Sequence, residues 1–173
     1  MVAIWAVAAG VIFFVRQSEP TPEKIVAYVQ EHPLEGSGDR AKVIEAVANR
    51  LNGLDFEDRQ RLQRSREMRG FYEAMTEEEQ RRFLDLTLPE GFRQVMLALN
   101  KMTPEKRKEI VERALNNIAE NGSVNDERPP VDEEMMRKIV GQGMTAFYEE
   151  ANADVKLDFA PVIEQIQQSL QWR

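Results

Sequence analysis

The sequence predicts an all-α protein. Three observations carry that expectation. Apolar residues recur at helical spacing through most of the chain, N-cap signatures precede them, and no stretch alternates at the period of a strand. The expected arrangement is an N-terminal transmembrane helix, a compact multi-helix body and a C-terminal helical pair. This places an anchor over 1–16, a Pro-containing spacer over 17–22, a helical domain over 23–120, an acidic linker over 121–131 and the helical pair over 132–173.

Met1–Val15 carries no charge. At ~1.5 Å per residue, fifteen helical residues cover only ~22 Å of a hydrocarbon core roughly 30 Å thick. Nothing basic precedes the run, and Phe13-Phe14-Val15-Arg16 lacks the small residues of a signal-cleavage site. A helix apolar on every face needs partners all round it if it is to sit in a soluble core. Membrane anchoring is therefore expected ahead of a cleaved signal or a core helix, with the lipid bilayer as the partner of residues 1–15. Arg16 and Lys24 follow the run, which leans towards a cytoplasmic body. The run also reads as clipped at its start, and a basic flank before Met1 would reverse that orientation, so the side of the body stays open.

Gln17-Ser18-Glu19-Pro20-Thr21-Pro22 ends the anchor, because Pro disfavours helix in the residue before it. In extended form at ~3.1 Å per residue, the spacer keeps the body within about 20 Å of the bilayer surface. Thr21-Pro22-Glu23 then opens a helix with a cap, a first-turn Pro and an acid; His32-Pro33 closes it. Asp39 caps a second helix carrying Val43, Ile44, Val47, Leu51 and Leu54. Asp55 starts a third, from Phe56 through an Arg-rich stretch, followed by a segment carrying Met68, Phe71, Tyr72 and Met75. Thr76 and Glu79 form a capping box, and the helix after it buries Phe83, Leu84 and Leu88. Pro89 is expected to begin another helix, and Thr103-Pro104-Glu105 the next, with Gly122 as its stop. Beyond the linker, Asp132 caps one helix and Asp158 the last, with Pro161 in its first turn.

One phrase recurs. Leu51-Asn52-Gly53-Leu54-Asp55-Phe56-Glu57-Asp58-Arg59 matches Leu99-Asn100-Lys101-Met102-Thr103-Pro104-Glu105-Lys106-Arg107 at most informative places, with a shorter echo at Met75-Thr76-Glu77-Glu78. Similar helix starts explain this more simply than duplication of a helical hairpin, although Leu-Asn before the start is not needed for capping. The starts resemble, over five residues at a time, those of periplasmic stress proteins that repeat a Leu-Thr-x-x-Gln phrase. Asp58, Glu79 and Lys106 stand where that family has Gln, so neither its fold nor chaperone activity is carried over.

The net charge of −7 argues against a nucleic-acid binder, which needs a basic face for phosphate. With no Cys there is no disulfide, thiolate nucleophile or zinc-thiolate site. His32 is the single His and reads as a helix-end residue. Ser37 lies in Gly-Ser-Gly with no strand before it, which reads as a turn and not a nucleophile elbow. Gly141-Gln142-Gly143 falls inside a helical pattern and marks a close packing point or a weak spot. The acids Glu77, Glu78, Glu79, Asp132, Glu133, Glu134, Glu149 and Glu150 fall in first turns or on exposed faces, where they serve helix dipoles and solubility. The Met- and aromatic-rich set, which includes Met68, Met75, Met96, Met102, Met135, Met136 and Met144, reads as core packing ahead of a helix-binding groove between the two helical groups.

The sharper feature is Arg59, Arg61, Arg64, Arg66 and Arg69, with only Glu67 among them. On one continuous helix Arg59 and Arg66 would share a face with Arg69 nearby, and Arg61 and Arg64 another. Local pairing with Glu57, Asp58 and Glu73 competes with a partner-binding patch for an acidic protein or a lipid headgroup. The expectation is a non-enzymatic, membrane-tethered interaction or scaffolding module with a protein partner and no cofactor. The alternatives are a helical binding protein released by signal cleavage and an enzyme working with carboxylates alone.

Overall fold

The computed structural model describes residues 20–36, 38–121 and 133–171. They contain eight α-helices and no strand: α1 (Pro22–Glu31), α2 (Arg40–Asn52), α3 (Phe56–Gln63), α4 (Arg66–Glu73), α5 (Glu77–Lys101), α6 (Pro104–Asn121), α7 (Glu133–Glu150) and α8 (Ala153–Gln171). The chain divides into two compact units, Met1–Thr87 and Leu88–Arg173. The acidic stretch over 121–131 falls inside the span of the second. The anchor over 1–16, Ser37, Gly122, Asp132 and the linker beyond Asn121 lie outside the described residues. Among the described residues, no helix is long and apolar enough to cross a membrane.

In the first unit α1 packs against α2, α3 and α4. Ile25, Ile44, Val47, Leu51 and Leu62 are fully or almost fully buried at its centre, and Phe71 meets Phe83 edge-on at 6.2 Å. The helix starts follow the capping rules. Thr21 Oγ1 accepts from Lys24 N at 3.3 Å, and Asp55 Oδ1 from Asp58 N at 2.8 Å. Thr76 and Glu79 close the expected reciprocal box: Thr76 N donates to Glu79 Oε2 at 2.9 Å and Glu79 N to Thr76 Oγ1 at 3.3 Å. Asp39 is the N-cap residue of α2, and its side chain engages the Lys42 ammonium.

Three expectations need correction. The Arg-rich stretch is not one helix: the chain breaks after Gln63, and Ser65 caps α4 by accepting from Met68 N at 3.2 Å. Pro89 does not begin a helix but lies inside the 25-residue α5, where Phe83 and Thr87 are buried and Leu84 and Leu88 only half-buried. Asp158 does not cap the last helix. Asn152 does, with Oδ1 accepting from Val155 N at 2.9 Å, so both Asp158 and Pro161 lie within α8.

In the second unit α6 packs along α8. Leu99, Phe147, Ala151 and Val155 form its buried cluster, flanked by Met96, Met102, Ile110 and Phe159. Gly143 is the close packing point of the Gly-Gln-Gly stretch: a Cβ there would lie 3.3 Å from the Phe92 ring, whereas Gly141 faces open space.

Candidate functional site

The break at Ser65 redistributes the five arginines. Arg59 is buried, at 4% exposure, and leaves the candidate partner-binding set. Its Nη2 donates to Thr87 O at 2.6 Å and its Nη1 to Asn52 Oδ1 at 3.2 Å. Arg61, Arg64, Arg66 and Arg69 are all exposed. They occupy the corner where α3 ends and α4 begins, not two stripes of one helix. Arg61 Nη2 lies 2.7 Å from Asp58 Oδ1 and 3.9 Å from Glu23 Oε1. Arg64 donates to Gln60 Oε1 at 3.2 Å. Arg66 and Arg69 form no ion pair among the described residues. Arg61 therefore stands beside the first turn of α1. The Arg composition was visible in the sequence; this position depends on a contact 38 residues apart in the chain.

Pro20 belongs to the same neighbourhood. Its ring packs so closely on Gly53, after α2, that a Cβ at Gly53 would meet Pro20 Cγ at 2.7 Å. Gly53 has φ −83°, so close approach and not a left-handed backbone is what calls for glycine here. The last residues of the spacer are thus seated on the first unit.

Sequence reasoning missed the structural work done by the recurring phrase. Asn52 Nδ2 donates to Leu86 O at 2.7 Å, and Asn100 Nδ2, 48 residues later, donates to Glu150 O at 2.8 Å. Arg107 is buried like its counterpart Arg59, at 5% exposure. Its Nη1 donates to Met102 O at 2.7 Å and its Nε to Asp158 Oδ2 at 2.6 Å. In each unit, then, an Asn ending one helix and an Arg in the first turn of the next bind groups distant in sequence. Capping does not require either residue. The shared Leu-Asn and the Arg four places beyond the cap were the available signal.

Arg40 makes the strongest partly exposed link. Its Nε and Nη2 hold Glu79 Oε1 and Oε2 at 2.8 and 2.6 Å, and it also donates to Leu34 O and Ala74 O. The guanidinium, with help from Thr76 N, lowers the Glu79 carboxyl to about 2. His32 stacks on Tyr28 at 4.2 Å between ring centroids, and its Nδ1 lies 3.0 Å from Tyr28 O, in keeping with a helix-end role. Glu77, Glu78, Glu134 and Glu149 are exposed. Among the described residues, no three His, Cys, Asp or Glu side chains converge. No protein-family model, curated protein or solved structure matches the chain.

Proposed function

We propose that the protein is a membrane-tethered, non-enzymatic interaction module. Its apolar segment Met1–Val15 enters the bilayer and its helical units are displayed close to the surface. The observation that carries this reading is the contrast between fifteen uncharged residues and a polar body whose first helix begins seven residues after Val15. The seating of Pro20 on Gly53 supports a short tether, since it shortens the free chain between bilayer and body. The exposed arginines at the α3–α4 corner are the surface most suited to an acidic partner.

Flotation of the full chain with vesicles, followed by a carbonate wash, tests the tether. The chain is expected to stay with the lipid through the wash; release by carbonate would reject the anchor. The run is also close in length to a signal-peptide core, which favours one competing outcome. N-terminal sequencing of mature protein decides it, because a chain starting beyond Arg16 would be a released helical binding protein.

A further inference from the structure

We propose that the α3–α4 corner binds lipid headgroups: Arg61, Arg64, Arg66 and Arg69 engage anionic phosphates of the same bilayer that holds Met1–Val15. This rests on the tether reading above and names the partner of that surface.

Position is the first argument. Pro20 is seated on Gly53, α1 begins two residues later, and Arg61 lies 3.9 Å from Glu23 in the first turn of α1. Arg61, on the α3 side of the corner, is therefore beside the first turn of α1, three residues after Pro20. Reach is the second. Five residue steps separate Val15 from Pro20 and span at most about 18 Å when fully extended. A tether this short holds the corner near the headgroup layer and makes the encounter intramolecular, so that weak contacts suffice.

Charge is the third argument. Between Gln60 and Tyr72 the chain carries four exposed arginines and one acid, Glu67. Arg66 and Arg69 form no ion pair among the described residues. Arg61 faces Asp58 and Glu23, but pairs this accessible to water are weak and exchange readily for a phosphate. The planar guanidinium fork matches phosphate oxygens two at a time. The chain as a whole is at −7, which opposes adhesion of an average face to an anionic surface and makes the contact directional. An acidic polypeptide would offer similar charge, but only lipid is brought to this corner by the chain's own apolar segment.

The chain has no Cys, so Gln63→Cys, at the exposed end of α3, gives one labelling site. The labelled full chain is reconstituted into vesicles of phosphatidylcholine, alone or mixed with phosphatidylserine, with an energy-transfer acceptor on a fraction of the headgroups. Transfer should be greater on the mixed vesicles. That gain should be lost in high salt and in the variant carrying Arg61→Glu, Arg64→Glu, Arg66→Glu and Arg69→Glu with unchanged helical circular dichroism. If that variant does not fold, salt titration of the unsubstituted surface decides alone. A chain that floats with both vesicles but gives equal transfer overturns this proposal and leaves the tether standing. A chain that floats with neither overturns both. Capture of an acidic polypeptide through these arginines, with transfer indifferent to lipid charge, assigns the surface to protein and overturns the lipid assignment.

Discussion

A buried arginine is costly to desolvate, and among the described residues each unit of this protein holds one, hydrogen-bonded across its core. Arg59 satisfies the carbonyl of Thr87, while Arg107 pairs with Asp158 and the carbonyl of Met102. Removing either leaves desolvated acceptors behind, so Arg59→Met and Arg107→Met should each lower unfolding free energy by about 3 kcal/mol. Arg61→Met, at an exposed pair, should change it by no more than about 0.5 kcal/mol. Urea unfolding of the three variants checks this, and equal effects would show that burial is not what matters. Arg40 and Glu79 give a pH-dependent counterpart. The Glu79 carboxyl is lowered to about 2, so its stabilisation is complete above the ordinary glutamate range and is lost as the pH falls towards 2. Glu79→Gln should cost about 1 to 2 kcal/mol near pH 7, allowing for solvent screening at a partly exposed pair. The difference between the two proteins should close on acidification. A gap that persists near pH 2 would show that the stabilisation does not depend on the charge of Glu79.

Elements differ in how legible they were, and the reason is the range of the forces that set their ends. α1, α3, the start of α5 and the start of α6 begin where local signals place them, because a cap and the backbone N–H groups that donate to it lie within four residues of each other. The continuity of α5 was not legible. Pro89 removes the N–H that would serve Asp85 O and normally costs a helix about 3 kcal/mol. Here the next carbonyls, Leu86 O and Thr87 O, accept from Asn52 and Arg59, whose side chains arrive from α2 and α3. A proline braced in that way reads locally like a new helix start. Asp158 misleads for the same reason, since its partner Arg107 is 51 residues away. The arginine composition of the candidate surface was legible, but its division was not. Ser65 is an inconspicuous residue in a stretch with few apolar landmarks. Ser65→Ala should lower stability by about 1 kcal/mol through loss of the bond from Met68 N. Gln63→Ala, two residues earlier and exposed, is the control and should be nearly neutral in the same denaturation assay.

At the scale of the whole molecule the two units are unequally supported. Among the described residues the first has a buried cluster of thirteen apolar side chains, reaching from Ile25 to Phe83, and the second a cluster of four. Buried apolar area is the main favourable contribution to folding, and regions with little of it open first. The second unit also leaves Leu157 at 77% and Tyr148 at 55% exposed, apolar area that contributes nothing to its core. Hydrogen exchange of the full chain should therefore protect the amides of α2 more strongly than those of α7 and α8. Phe147→Ala should hasten exchange in α7 and α8 while leaving α2 near its original rate. Phe71→Ala, at a similarly buried ring, should lower protection in α1, α2 and α4. A single exchange rate across both units, shifted equally by either substitution, would show that they unfold as one cooperative body in spite of their separate cores.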